Sequence, residues 1–260
     1  MKTAILLAGL AAGGVTEVVS PAPSRDHTER MLAALGAPVE QAGATVRVRA
    51  GAPRAFELTV PGDPSSAAFW CVAATITPGS ELTVEGVGLN PTRTGFVDVL
   101  RRMHADVEIV QTGEELGEPV GELRVRSAAL AGTTIAGDEI ANVQDEIPVL
   151  AVAAAFADGV TEITDAAELR VKESDRVETV AALLGALGVG VETSADGLVV
   201  RGGRPVPGRV ASRGDHRIAL AGAVAGHALD GATEVEGFEA AAVSYPEFAS
   251  DLAELTGGRA

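Results

Sequence analysis

Four segments of the chain are apolar at almost every position. They read TAILLAGLAA, AAFWCVAATI, IPVLAVAAAFA and RIALAGAVAGHAL. A helix without a polar face must be covered on all sides, so each segment predicts a helix that is buried all round. A glycine-led segment follows each of them: GVTEV at 14–18, GSELTV at 79–84, GVTEI at 159–163 and GATEV at 231–235. We expect the glycine to end the helix in a left-handed cap. The alternating residues after it predict a strand.

A second helix is predicted after each of these strands. The segments DHTERMLAALG, TGFVDVLRRMHA, DRVETVAALLGALG and YPEFASDLAELTG carry Leu, Val or Met at three- and four-residue spacing, which is typical of amphipathic helices. Asp26 with Glu29, and Asp175 with Glu178, have the spacing of a helix N-cap and its third-residue partner. In three of the four copies short strands follow, in ATVRVRAG, GELRVRS and GLVVRGG.

The chain therefore repeats one unit four times: helix, strand, helix, strand, strand. Buried helices surrounded by strands favour an α/β fold with the helices inside and the sheets outside. Three units, residues 61–260, are predicted to form one compact domain, and residues 1–60 stand apart as a single unit. A helix that should be buried begins at residue 1 or 2 without a preceding strand, so we expect that the beginning of the natural chain is missing.

Composition and charge exclude several classes of function. The formal net charge is -16, which argues against a nucleic-acid partner because such proteins need a basic surface. Any anionic ligand must then be held by a local cluster of cations. No stretch reaches the roughly 18 apolar residues of a membrane helix. The first 14 residues loosely resemble a signal peptide, but the same pattern recurs inside the chain. We interpret them as a core helix and predict a cytoplasmic protein.

The sequence predicts neither a disulfide nor a metal site. Cys71 is the single cysteine, and it is expected to be a small buried hydrophobe. The histidines lie far apart and lack the spacing of metal ligands; they are His27, His104, His216 and His227. No dinucleotide fingerprint or phosphate-binding glycine loop occurs. We therefore expect no cofactor.

Polar residues concentrate at the predicted helix starts. They form the clusters PSRDHTER, QDEIP, VKESDR, RGDHR and GDPSS. Helix N-termini favour phosphate and carboxylate groups, and Arg25, Arg176 and Arg217 would add paired donors. The pattern predicts a site for anions. The alternative is that each arginine pairs with its neighbouring acid: Arg25 with Asp26, Arg176 with Asp175 and Arg217 with Asp215.

Asp145 and Glu173 are the candidates for acid–base chemistry. Asp145 opens a buried helix, where burial would raise its pKa and neighbouring cations would lower it. A simple helix cap is the alternative reading of this residue. Glu173 stands beside Lys172, one of the two lysines in the chain. A carboxylate and an ammonium group in one enclosed site can divide proton donation and acceptance between them.

At these residues the sequence resembles the 5-enolpyruvylshikimate-3-phosphate (EPSP) synthase family, the 3-phosphoshikimate 1-carboxyvinyltransferases. The resemblance rests on PAPSRDHTERML, VPGDPSSAAF, VGLNPTRTGFVDVLRRM, DEIPVLAVAAAFADG, LRVKESDR, GDHRIA and SYPEFASDL, and it runs along the whole chain. It implies an inside-out α/β barrel of two domains, each built from three repeated units. Residues 1–60 would be the last unit of an incomplete N-terminal domain, and 61–260 the three-repeat C-terminal domain.

The resemblance implies transfer of the enolpyruvyl group from phosphoenolpyruvate to the 5-hydroxyl of shikimate 3-phosphate, with release of phosphate, in the shikimate pathway. Ser24 and Arg25 would hold shikimate 3-phosphate, with contacts from Lys172 and Asp145. Asp145 would take the proton of the attacking hydroxyl. Lys172 and Glu173 would handle proton transfer to the phosphoenolpyruvate methylene.

The same resemblance implies that Arg176 and Arg217 bind phosphoenolpyruvate, with His216 in support. Two positions depart from the family pattern. Val243 stands where many members have a lysine, which suggests a subclass, and His104 replaces the glycine of an MGAD segment and is expected to strain a helix end. The family's earlier substrate-binding segments would precede Met1.

We therefore expect little activity from the chain alone, and the missing N-terminal half as its partner. The sequence leaves two alternatives open. One is a non-catalytic fragment that binds shikimate 3-phosphate weakly. The other is the sister enzyme that acts on UDP-N-acetylglucosamine, which shares the fold.

Overall fold

The computed structural model describes residues 1–20 and 24–257. Its helices are α1 (Lys2–Gly9), α2 (His27–Ala34), α3 (Pro64–Ile76), α4 (Gly95–Arg102), α5 (Ile140–Val143), α6 (Ile147–Ala155), α7 (Arg176–Ala186), α8 (His216–His227) and α9 (Phe248–Leu255). Three 3₁₀ helices span Gly137–Glu139, Ala167–Val171 and Phe238–Val243. The strands are β1 (Val15–Val19), β2 (Val39–Ala42), β3 (Thr45–Arg49), β4 (Glu81–Gly88), β5 (Asp106–Glu115), β6 (Glu118–Arg126), β7 (Thr134–Ile135), β8 (Val160–Ile163), β9 (Gly190–Thr193), β10 (Leu198–Arg201), β11 (Arg209–Ala211) and β12 (Glu234–Glu236).

Three units build their sheets in the same way, which confirms the repeat. In each sheet the first strand pairs antiparallel with the third, and the third with the second: β1-β3-β2, β4-β6-β5 and β8-β10-β9. The third sheet gains β7, parallel to β8, and in the last unit β11 pairs parallel with β12. Alternate residues of the central strands are buried, as in Leu123 and Val125 of β6. One face of each sheet therefore covers the helices.

The predicted α/β fold with helices inside and sheets outside is confirmed for the last three units. The helices α3, α6 and α8 contact one another, and most of their residues are buried. Such helices can lose their polar face because every side meets protein. The larger apolar cluster of the described residues runs from Ala67 to Leu252.

The first apolar helix is an exception, and the prediction that it is buried all round is wrong. Only Leu6 and Gly9 of α1 are buried. This helix packs on β1 and β3, while Ile5 and Leu7 are exposed on its other side. The first unit has its own small cluster, formed by Leu6, Leu32, Ala37, Val46 and Val48. A domain boundary near residue 60 stays a prediction.

Left-handed helix ends occur, but not where the sequence predicted them. Gly79, Gly159 and Gly231 have positive φ, yet they lie in turns several residues beyond the buried helices. The left-handed caps instead follow the amphipathic helices, two residues after each end. The residues there are Gly36, His104, Gly188 and Gly257, with φ of 73°, 71°, 75° and 62°. His104 thus occupies a position that favours glycine, because a Cβ is strained there.

Cys71 lies in the middle of α3 and is completely buried, as predicted. Burial raises the pKa of its thiol to about 12. Among the described helices, none combines the length and the apolar character that crossing a bilayer requires.

Candidate active site at the starts of the helices

The helix starts of different units meet at one place. Asp145 lies two residues before α6, and Lys172 follows the 3₁₀ helix that leads to α7. Arg176 is the first residue of α7, and Arg217 lies in the first turn of α8. Arg25 comes from the first unit, two residues before α2. The fold therefore gathers side chains that are up to 192 positions apart in the printed sequence.

Asp145 is the centre of this cluster. Arg25 Nη2 donates to Asp145 Oδ2 at 2.8 Å. Lys172 Nζ and Arg176 Nη1 lie 3.6 Å and 3.5 Å from Asp145 Oδ1. Arg217 Nη1 donates to the main-chain carbonyl oxygen of Asp145 at 3.0 Å. The predicted anion-binding residues and the predicted base thus lie together.

The charges around Asp145 decide the direction of its pKa. Burial alone would raise the pKa, but the charges of Arg217, Lys172 and Arg25 outweigh burial and lower it. Asp145 is therefore ionised at neutral pH and can accept a proton. The alternative reading of Asp145 as a helix cap is wrong, because Glu146 is the N-cap residue of α6.

Arg176 is the most deeply buried charge in the cluster, with 1% of its side chain exposed. Its Nε donates to Asp215 Oδ2 at 3.0 Å, and its Nη2 donates to Glu173 Oε2 at 2.6 Å. Its Nη1 is buried and has no hydrogen-bond partner among the described residues. It contacts Asp145 Oδ1 at 3.5 Å without a hydrogen bond. Because buried donors in proteins usually have a hydrogen-bond partner, this nitrogen can donate to a ligand oxygen.

Asp215 holds Arg176 in place through the hydrogen bond from Arg176 Nε. It is the N-cap residue of α8 and also accepts a hydrogen bond from the Ser174 hydroxyl at 2.9 Å. Burial alone would raise the pKa of Asp215, but the hydrogen bond and charge of Arg176 outweigh it and lower the pKa. The carboxylate stays charged and holds the guanidinium in place.

The alternative of pairing between adjacent residues is wrong. Arg25 and Arg176 pair across units, with Asp145 and Asp215, and the side chain of Arg217 reaches the main chain of Asp145. The neighbouring acids have other partners: Asp26 pairs with Arg30, and Asp175 with Arg170. Asp175 does cap α7 as predicted, through the amides of Val177 and Glu178, whereas Asp26 makes no side-chain cap hydrogen bond.

The remaining predicted site residues lie at the edge of the cluster. Glu173 is half exposed and pairs with Arg176, three residues later in the chain. His216 is almost buried, and burial together with the charge of Arg217 lowers its pKa, so the neutral ring is favoured. Ser24 is exposed just before α2. Pro23, the first residue of its cluster, lies outside the described residues.

Three further polar residues adjoin the cluster and were missed as site residues. Glu146 is 3% exposed and accepts a hydrogen bond from the Ser65 hydroxyl. Arg93 Nη2 donates to Ser65 Oγ at 2.9 Å. The sequence held a signal for two of them, because Glu146 and Ser65 stand in the polar clusters QDEIP and GDPSS. No local pattern, however, indicates that these segments touch.

Within residues 1–20 and 24–257, no group of three or more His, Cys, Asp and Glu side chains has an arrangement that could hold a metal ion. The polar groups that do gather are guanidinium, ammonium and carboxylate groups. They can hold anions and move protons.

Buried helices inside repeated three-stranded sheets, with cations at the helix starts, define a protein of the enolpyruvyl transferase fold. The enolpyruvyl transferase NikO from Streptomyces tendae has this fold, with a TM-score of 0.76 at 23% identity over 96% of this chain and 57% of its own. The chain itself belongs to the EPSP synthase (3-phosphoshikimate 1-carboxyvinyltransferase) family, whose model matches residues 1–252. An EPSP synthase from Acinetobacter baumannii superposes with a TM-score of 0.90 at 40% identity, over 96% of this chain and 58% of that one.

Curated relatives are similar along nearly the whole chain. The 3-phosphoshikimate 1-carboxyvinyltransferases of Prochlorococcus marinus and Thermus thermophilus are 51% and 54% identical over 98% of this chain. The match covers 59% and 60% of their own lengths. The chain therefore spans about three fifths of the length of these relatives.

Proposed function

We propose that this chain carries one side of a site that transfers the enolpyruvyl group of phosphoenolpyruvate to the 5-hydroxyl of shikimate 3-phosphate and releases phosphate, in the pathway to chorismate and the aromatic amino acids. The observation that supports this most is the convergence of Arg25, Lys172, Arg176 and Arg217 on the ionised Asp145. Arg176 Nη1, which lies 3.5 Å from Asp145 Oδ1 but makes no hydrogen bond within the described residues, adds a donor for a ligand oxygen.

Two anionic substrates must be held together against their mutual repulsion. In a chain of net charge -16, a local excess of cations is required for this. Arg176 and Arg217 would bind phosphoenolpyruvate through paired N–H donors, and Ser24, Arg25 and Lys172 would bind shikimate 3-phosphate. Binding in one geometry turns the encounter of two substrates into a reaction between oriented groups.

Proton transfer would follow from the same charges. Asp145 would accept the proton of the attacking hydroxyl, while Lys172 and Glu173 would deliver a proton to the methylene carbon. In the unliganded site the cations lower the pKa of Asp145 and make it a weak base. Bound phosphate and carboxylate groups would neutralise these cations and raise the pKa of Asp145. The base would thus gain strength only when both substrates are present.

A polypeptide equivalent to the remaining length of the relatives is the proposed partner. In the first unit, α1 exposes the apolar side chains of Ile5 and Leu7 on the side that faces away from β1 and β3. Exposed apolar side chains that share one surface mark an interaction site. We propose that this partner covers the surface and contributes the rest of the site. A cytoplasmic location stays a prediction.

Phosphate release from shikimate 3-phosphate and phosphoenolpyruvate tests the proposal. The chain alone is expected to show little turnover, and mixing it with the separately expressed N-terminal part of the Thermus thermophilus relative is expected to restore it. Asp145→Asn should abolish the restored turnover. Asp98→Asn, which changes a largely exposed carboxylate on α4, should leave it intact.

Each alternative predicts a different result. Robust turnover by the chain alone would contradict the need for a partner. Calorimetric binding of shikimate 3-phosphate without turnover in any mixture would indicate a non-catalytic binding fragment. Turnover with UDP-N-acetylglucosamine in place of shikimate 3-phosphate would indicate the sister activity.

A further inference from the structure

Glu146 is a buried acid for which the proposed chemistry has no direct use. It holds the N-cap position of α6, yet its side chain makes no cap hydrogen bond. Its carboxyl group instead reaches α3, where the Ser65 hydroxyl donates to Oε1. A buried carboxyl group that does not cap its own helix needs another reason to be there, because burying it is costly.

Ser65 is itself held in place from a third element. Its main-chain N–H donates to Oδ1 of Asp63, the N-cap residue of α3, at 3.2 Å. Arg93, in the turn before α4, donates through Nη2 both to Asp63 Oδ1 at 2.7 Å and to Ser65 Oγ at 2.9 Å. The hydroxyl thus accepts from Arg93 and donates to Glu146. This leaves the Glu146 carboxyl group one well-defined position.

Glu146 lies against Arg217 without forming a hydrogen bond to it. Its Oε1 is 4.0 Å from Arg217 Nη1, and the same nitrogen donates to the carbonyl oxygen of Asp145 at 3.0 Å. The guanidinium therefore rests on the main chain between Asp145 and Glu146. If Glu146 is held in place, the Asp145 carbonyl oxygen and the Glu146 side chain stay fixed, and these are the groups that contact Arg217 Nη1.

We infer that Glu146, fixed by Ser65 and Arg93, is a positioning residue that orients the guanidinium of Arg217 for an anionic ligand without neutralising it. This inference rests on the proposed function, because it takes Arg217 to bind phosphoenolpyruvate. Burial raises the pKa of Glu146 against the opposing effects of Ser65, Arg217 and Arg93, and Asp145 raises it further. A raised pKa favours the neutral acid, and the neutral acid leaves the charge of Arg217 available to the ligand.

The test compares Glu146→Ala with Glu146→Gln in the full chain. The glutamine carbonyl can still accept from the Ser65 hydroxyl and carries no charge, so it imitates the neutral acid. The primary measurement is the rotation rate of the Arg217 guanidinium by nitrogen-15 NMR, with the signal assigned through Arg217→Lys. We expect rotation about tenfold faster in Glu146→Ala and within about twofold of the original chain in Glu146→Gln. The Arg176 signal serves as the internal reference.

Phosphoenolpyruvate binding by the same proteins is the second measurement. Misplacing a functional group by about 1 Å can lower a reaction rate up to roughly 100-fold. For affinity we expect a smaller effect: phosphoenolpyruvate should bind about tenfold more weakly to Glu146→Ala and with near-original affinity to Glu146→Gln. Ser65→Ala, which removes the hydroxyl that holds Glu146, should loosen Arg217 in the same direction. It supplies the test if Glu146→Ala does not fold.

Three results would overturn the inference. Unchanged Arg217 rotation in both Glu146→Ala and Ser65→Ala would show that neither residue orients Arg217. Equal loosening in Glu146→Gln and Glu146→Ala would show that charge pairing holds Arg217. Equal loosening of Arg176 would show a general loss of structure. The absence of phosphoenolpyruvate binding by the original chain, both alone and mixed with the N-terminal part of the relative, would contradict the proposed function alone, since the NMR measurement needs no ligand.

Discussion

The buried ion pair between Arg176 and Asp215 should dominate the stability of the last two units. Asp215 has no exposed surface, and its carboxylate accepts from Arg176 Nε at 3.0 Å and from the Arg217 N–H at 2.9 Å. Asp215→Ala would leave the Arg176 guanidinium buried without this partner. Breaking a buried pair from one side costs about 3–5 kcal/mol. For a chain of this size, that corresponds to a fall in melting temperature of roughly 6–20 °C.

Asp175→Ala is the matched control, because Asp175 also caps a helix. It accepts from the main-chain amides of Val177 and Glu178, but its ion pair with Arg170 is partly exposed. Loss of such a cap costs about 1 kcal/mol. The difference between the two variants in urea unfolding, about 2–4 kcal/mol, measures the buried pair beyond the cap. Equal losses within about 0.5 kcal/mol would refute the reasoning.

The pH dependence of the pair follows from the direction of the Asp215 pKa. Burial alone would raise it, but Arg176 and Ser174 outweigh burial and lower it from the ordinary value of 3.8. A lowered pKa in the folded state means that the stabilisation is fully present above the unfolded pKa. It is lost as the pH falls through the folded pKa. The gap between the original chain and Asp215→Ala should therefore hold from pH 7 to about 5 and close only below pH 3.8.

Three further predictions concern packing, backbone strain and thiol reactivity. A Cβ on Gly9 would meet Val48 Cγ2 at 2.5 Å, so Gly9→Ala should destabilise the chain by about 1–3 kcal/mol in urea unfolding. Gly185 lies in α7, where an added Cβ would meet nothing within 4 Å, so Gly185→Ala should instead stabilise the chain by about 0.5–1 kcal/mol. Stabilisation by Gly9→Ala together with destabilisation by Gly185→Ala would contradict the packing argument. His104→Gly should be about 1 kcal/mol more stable than His104→Ala by thermal unfolding, because only glycine is relaxed at φ 71°, and equal melting temperatures would exclude strain there. The pKa of about 12 leaves roughly 1 in 10,000 Cys71 thiols ionised at pH 8, so the folded chain should resist a thiol reagent that labels the urea-unfolded chain quickly; fast labelling in the folded state would disprove the burial.

The sequence alone determined much of the local structure. Each predicted apolar helix and each predicted amphipathic helix is present, because a long apolar run and a three- and four-residue apolar spacing are both properties of the segment itself. The cap at Asp175 and the strain at His104 were also predictable, since both depend on residues within one turn. The family resemblance came from short motifs at the helix starts, such as VKESDR and GDHRIA, and the comparisons confirm the family.

The tertiary structure alone decided which of these elements meet and which charges pair. Arg25 reaches Asp145 across 120 positions, and Arg176 reaches Asp215 across 39, although each arginine has an acid beside it in sequence. The exposed side of α1 could not be predicted either, because its composition matches that of the buried helices. Composition shows which side chains of a segment are apolar, whereas their burial and the pairing of charges depend on which other segments lie nearby. Those distances are set only when separate units pack. The packing also places the cations that lower the pKa of Asp145, and it brings Glu146 within 4.0 Å of Arg217.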